Sequence, residues 1–124
     1  MFINVHKDID VHAQLAQISG WVNDITQDET LRSQVNIVSS ELLYNIIKFA
    51  PSGQINFYRD ASSIYIEAQD IGKGFSSLME HVLQEGLSTA GSLGLGIPSI
   101  IRLCDDVWVE TSESGTFYRC SWEV

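Results

Sequence analysis

Apolar residues recur along this chain with two different periods, and the changeovers mark out its elements. Phe2-Ile3-Asn4-Val5 alternates and reads as a short strand at a sheet edge. From Asp8 the period lengthens: Ile9, Val11, Leu15, Ile18, Val22 and Ile25 return at roughly helical spacing, with Asp8 or Asp10 as N-cap and Gly20 a mild weakness. A second helix is expected to start near Asp28-Glu29, where acidic side chains suit the positive end of the helix dipole. Its apolar stripe runs Leu31, Val35, Val38, Leu42, Ile46, Phe49, and Pro51 stops it. This is the strongest periodic signal in the chain.

Period two returns in Ile55-Asn56-Phe57-Tyr58-Arg59 and again in Ile64-Tyr65-Ile66-Glu67-Ala68, with Asp60-Ala61-Ser62-Ser63 as the turn of a hairpin. On the second of these strands Ile64, Ile66, Ala68 and Asp70 share one face, so Asp70 points to the side that its apolar neighbours bury. A short helix is expected near Ser77 to Gln84, then a glycine-rich loop. A third major helix begins near Gly96-Ile97-Pro98, with proline in its first turn and Ile97, Ile100, Ile101 and Cys104 inward. Val107 to Thr111, a turn at Glu113-Ser114-Gly115, and Thr116 to Trp122 form a closing hairpin. The pattern predicts a single domain of α+β class, a two-layer sandwich of one mostly antiparallel sheet with three main helices on one face.

At 124 residues and a net charge of −9 the chain can bury a core, and it lacks the basic stripe that a nucleic-acid or anionic-membrane partner requires. The N-terminus has no basic region leading into an apolar run, and no stretch reaches bilayer length. Cys104 and Cys120 sit far apart in the chain among apolar neighbours and read as buried thiols of a reducing compartment, so a cytoplasmic protein is expected. His6, His12 and His81 form no cluster.

Candidate chemistry sits in four places. Glu41, Asn45 and Lys48 stand at i, i+4 and i+7 on the second helix, offering a proton acceptor, an oxygen ligand for magnesium and a phosphate contact, or simply a solvated helix edge. Asp70, followed by Gly72 and Gly74, is a carboxylate on a buried face that requires a donor. An adenine amino group is one such donor and local backbone amides are another. Six of the nine glycines fall between positions 72 and 96, and the run Ser88 to Pro98 leads into a helix start. Exposed amides there suit an anion, although the run is neither a Walker loop nor a dinucleotide fingerprint. Finally, Thr116 shares its strand face with Tyr118, Cys120 and Trp122, so its hydroxyl points inward as Asp70 does.

Taken in order, these segments resemble the GHKL (Bergerat-fold) ATPases across almost the whole chain. Ser40 to Ala50 resembles that family's N box, Asp70-Ile71-Gly72-Lys73-Gly74 its G1 box, and Leu93-Gly94-Leu95-Gly96-Ile97-Pro98 its G2 box. The small anti-sigma-factor and switch kinases are most similar, particularly the stressosome-associated RsbT-like branch. The resemblance implies ATP and Mg2+ as cofactors. It implies that Glu41 accepts or orients the substrate proton, that Asn45 coordinates magnesium, and that Asp70 and Thr116 hold adenine. Gly72 and Gly74 then pass the base, Ser92, Leu93, Gly94, Leu95 and Gly96 face the phosphates, and Lys48 lies near phosphate. It implies a serine/threonine protein kinase acting on a STAS-domain antagonist and then binding an effector such as a PP2C-type phosphatase. Ser92 replaces a usual glycine and Lys73 a common proline, and Ser92 points to a weaker phosphate grip. The rival reading is an anti-sigma-like binding module that sequesters a partner. A histidine-kinase catalytic domain fits less well, since the first helix is too short for a dimerisation hairpin.

Overall fold

The computed structural model of the chain describes residues 1–71 and 97–124. The expected short helix near Ser77–Gln84, the glycine-rich loop and His81 lie outside the described residues. The order of elements is β1 (Phe2–His6), α1 (Val11–Ile25), α2 (Glu29–Phe49), β2 (Ser52–Arg59), β3 (Ser63–Asp70), α3 (Ile97–Leu103), β4 (Asp106–Ser112) and β5 (Gly115–Glu123). The strands form a five-stranded sheet in the order β1-β2-β3-β5-β4. All four pairings are antiparallel, so β1 lies at an edge, as expected.

The helices start and stop for local reasons. Asp10 rather than Asp8 caps α1, its carboxylate accepting from the Ala13 amide at 3.1 Å, so Ile9 precedes the helix. Asp28 caps α2 by accepting from the amides of Thr30 and Leu31 at 2.9 and 3.3 Å. That helix runs to Phe49, just before Pro51.

Alternation in β2, β3 and β5 sends Ile55, Phe57, Ile64, Ile66, Ala68, Tyr118, Cys120 and Trp122 to one face, where they meet Val35, Val38, Leu42, Leu43 and Ile46 of α2. Burial of this apolar surface is the main source of stability. α1 packs on α2 and reaches the sheet through Trp21, whose ring meets Phe57 edge-on at 5.7 Å. α3 lies between α2 and β4. No helix among the described residues is long and apolar enough to cross a membrane.

Two inward assignments need correction. Phe49 is 43% exposed because the last turn of α2 runs past the core, and the capping Ala50 takes the buried place. Ile101 is 48% exposed, while its neighbour Ile100 is buried at 1% and meets the core in its place. Cys104 and Cys120, remote in sequence, come together at the core, and the neighbouring Cys120 thiol together with burial pushes the Cys104 thiol well above its ordinary range. Their meeting follows from how the chain after α3 is stitched to β5. Leu103 accepts the Trp122 indole N–H at 2.7 Å, and the Asp105 amide donates to Ser121 at 3.0 Å.

Candidate functional site

Asp70 is the last residue of β3, half-buried on the inner face. Continuing the β3–β5 register one step past Gln69–Phe117 brings Asp70 opposite Thr116. The Thr116 amide donates to Asp70 Oδ1 at 3.0 Å, and the Thr116 side chain is 1% exposed. The two residues thus stand together on the face covered by α2, in the arrangement that alternation requires.

What allows a carboxylate to sit there is the bare backbone on both sides of it. Gly53 of β2 is the register partner of Asp70 on the other flank. A Cβ on Gly53 would approach the Gln69 carbonyl oxygen to 2.6 Å, Ile46 Cγ2 to 3.0 Å and Asp70 Cα to 3.1 Å. Gly115 has a φ of +146°, and a Cβ there would sit 2.1 Å from the Asp70 carbonyl oxygen. Only glycine meets both demands at position 115. From the outer face Gln69 Nε2 donates to the carbonyls of Asp70 and Thr116, at 2.9 and 3.3 Å, and fixes the ends of both strands. Thr111 of β4 shares a hydrogen bond with the Thr116 hydroxyl, Oγ1 to Oγ1, at 3.0 Å. Local sequence reasoning overlooks Gly53, Gln69 and Thr111, because their roles exist only across strand pairs.

On the helix side the three expected residues separate by depth. Asn45 is buried at 7% exposure, Glu41 is half-buried and Lys48 is exposed, its ammonium 6.0 Å from the Tyr44 ring. Asn45 therefore turns toward the sheet, and Lys48 turns to solvent. The Asn45 side chain lies beside the Tyr118 phenol. Burial raises the Tyr118 pKa well above the phenol range, and the nearby charge of Asp70 adds to that rise. Asn45, Tyr118, Asp70 and Thr116 thus form one polar cluster in an otherwise apolar layer. Gly72, Gly74, Ser92, Leu93, Gly94, Leu95 and Gly96 lie outside the described residues.

The donor set suits an adenine nucleotide with magnesium. Asp70 is an acceptor for an exocyclic amine, and Asn45 carries an oxygen of the kind magnesium accepts. A hollow of about 210 Å3 beside Gly115 is lined by Gln69, Glu110, Thr111, Ser112, Ser114 and Phe117.

The chain resembles a known kinase. Over 79 residues it is 34% identical to the serine/threonine-protein kinase RsbT of Bacillus subtilis (strain 168), a match covering 60% of this chain and 59% of RsbT. The chain thus spans less than two thirds of the length of RsbT. No family model matches it. The similarity relates the chain to RsbT at the level of sequence.

Proposed function

We propose that this chain is a GHKL-type ATP-dependent serine/threonine protein kinase of a partner-switching pathway. The observation that carries the reading is the Asp70–Thr116 pair facing inward beneath Asn45, in a chain similar to RsbT. Asp70 and Thr116 hold the adenine, and Asn45 ligates magnesium. Gly72 and Gly74 let the backbone pass the base, and the segment Ser92 to Gly96 faces the phosphates with Lys48 nearby. When bound, Mg·ATP supplies the transferable phosphoryl group and cationic charge to offset that of the phosphates. Glu41 accepts or orients the proton of the incoming hydroxyl, a general-base role that suits a half-buried carboxylate one helical turn before Asn45. The protein substrate is a STAS-domain antagonist, and the released kinase then binds an effector such as a PP2C-type phosphatase, in the cytoplasm.

Ser92, in place of a glycine, favours a second reading: an anti-sigma-like module that sequesters a partner with little turnover. A thermal-shift titration with ATP, with and without magnesium, on wild type and Asp70→Asn tests the site, because a ligand of the native state raises Tm by mass action. The kinase reading expects a magnesium-enhanced shift that Asp70→Asn abolishes, followed by phosphoryl transfer to a STAS domain that Glu41→Ala removes. No shift at millimolar ATP overturns it. A biological effect undiminished in Glu41→Ala selects sequestration.

A further inference from the structure

The inner face of the sheet is not covered to its full width. On β5, Tyr118 and Cys120 are buried at 4% and 0%, yet Val109 and Val107, opposite them on β4, are only half-buried. The helix layer thus stops short of the β4 edge. Beside that strand lies a hollow of about 480 Å3, lined by Ile101 and Cys104 from the α3 side, by Val107 and Val109, and by Asp105 and Asp106. Ile101 is the exposed isoleucine of α3, an apolar side chain that the core leaves free to meet something else.

β4 is the last strand of the sheet, so among the described residues one side of its backbone has no strand partner. Exposed edges are commonly guarded by short length, proline, lysine or a charge turned inward. β4 is seven residues long, against five for β1 at the other edge, and holds neither proline nor lysine. Its inward positions are Val107, Val109 and Thr111, none of them charged. What guards it is Asp106 and Glu110 on the outer face, on either side of the exposed Trp108. Arg119, opposite Trp108 on β5, is engaged with Glu67 at 2.9 Å and does not neutralise them. A guard made only of carboxylates is selective: it turns away an acidic strand and attracts a basic one.

We infer that β4 and the hollow beside it form a docking edge for an extended segment of a partner protein, apolar at alternate positions with lysine or arginine between. The segment's backbone continues the ladder of β4, its apolar side chains enter the hollow beside Ile101 and Val109, and its basic ones meet Asp106 and Glu110. A second copy of this chain fits poorly. Antiparallel self-pairing about Trp108 sets Asp106 of each copy against Glu110 of the other, and each chain has a net charge of −9. The proposal does not depend on the nucleotide site.

The probe is acetyl-Lys-Val-Lys-Val-Lys-Val-Lys-amide, a peptide as long as β4. It is compared with a version carrying glutamate for lysine and with the blocked sequence Lys-Lys-Lys-Lys-Val-Val-Val. Amide NMR and hydrogen exchange on the full chain read where each one binds. The alternating basic peptide is expected to shift and protect the β4 amides, with affinity falling several-fold as salt rises from about 50 to 300 mM. The glutamate version is expected not to bind. Ile101→Gln, at an exposed position, is expected to keep the wild-type Tm and weaken binding by about fivefold to tenfold through lost apolar contact. Glu110→Lys is expected to weaken it through lost attraction. No binding by the alternating peptide, equal binding by the blocked one, or shifts centred away from β4 overturns the proposal. Edge-facing β4 amides already protected in the peptide-free monomer would show that the chain covers its own edge, which overturns it too. So does dimerisation of the peptide-free chain that Ile101→Gln abolishes, since the edge would then join two copies.

Discussion

The Thr116 amide donates to Asp70 Oδ1 at 3.0 Å across the β3–β5 pair, so one carboxylate oxygen of Asp70 is committed to the fold itself. Structural and binding roles of Asp70 are therefore separable. In Asp70→Asn the side-chain oxygen still accepts from Thr116, and Tm is expected to stay within a few degrees of wild type while adenine-nucleotide binding is lost. Asp70→Ala also strands the Thr116 amide and is expected to cost about 1–3 kcal/mol in urea unfolding. Equal destabilisation by the two substitutions would contradict this division.

The glycines outside the 72–96 cluster rank themselves. Gly115→Ala combines a φ of +146° with a Cβ set 2.1 Å from the Asp70 carbonyl oxygen, and is expected to cost about 3 kcal/mol or more or to prevent folding. Gly53→Ala, whose nearest contact is 2.6 Å, is expected to cost about 1–3 kcal/mol as the strand ends shift. Gly20, exposed in α1, has nothing within 4 Å of an added Cβ, so Gly20→Ala is expected to gain about 0.5–1 kcal/mol. Chemical denaturation of the three variants checks the order.

Alkaline pH should loosen the core. The Tyr118 phenol is raised above its ordinary 10.0 by burial and the Asp70 charge, and the Cys104 thiol above its ordinary 9.0 by the neighbouring Cys120 thiol and by burial. Both groups bind their protons more tightly folded than unfolded. Their contribution is therefore complete below the unfolded values and is lost as pH rises above them. Unfolding free energy is expected to fall above about pH 9–10, and less steeply in Tyr118→Phe and Cys104→Ser than in wild type. Parallel curves for wild type and both variants would exclude these groups as the cause.

The capping carboxylate of α2 offers a control far from the site. Asp28 accepts from two amides, and Asp28→Ala is expected to cost about 1 kcal/mol with nucleotide binding unchanged. A fall in ATP affinity in this variant would show that the helix carrying Glu41 and Asn45 is positioned from its far end.

The architecture was legible in the sequence wherever one face of an element is buried. The period-two pattern of β3 placed Asp70 on the inner side, and the same rule placed Thr116, so the two meet as alternation demands. The stripe Leu31 to Ile46 gave α2, and its stop at Pro51 fixed the helix end. Legibility ended where a residue's neighbours come from another strand. Gly53 looks like a turn glycine until β3 is laid beside it. The Cys104–Cys120 contact needs the link from Leu103 to Trp122, which no local period records. Phe49 and Ile101 mislead in the opposite direction, since helical spacing shows which face an apolar residue is on but not whether the core extends that far. The depth of Asn45 against Lys48, three residues on, likewise appears only when the sheet is in place beneath α2.

The bond from the Trp122 indole to the Leu103 carbonyl reaches beyond stability. Trp122 is 1% exposed and holds the C-terminal end of α3 at 2.7 Å, while the other end of α3 follows directly on the glycine-rich segment. A displacement of that helix stretches the bond and changes the electronic surroundings of the indole. With Trp21 and Trp108 replaced by phenylalanine, the remaining fluorescence belongs to Trp122 alone, and the protein carries its own unlabelled optical gauge of α3.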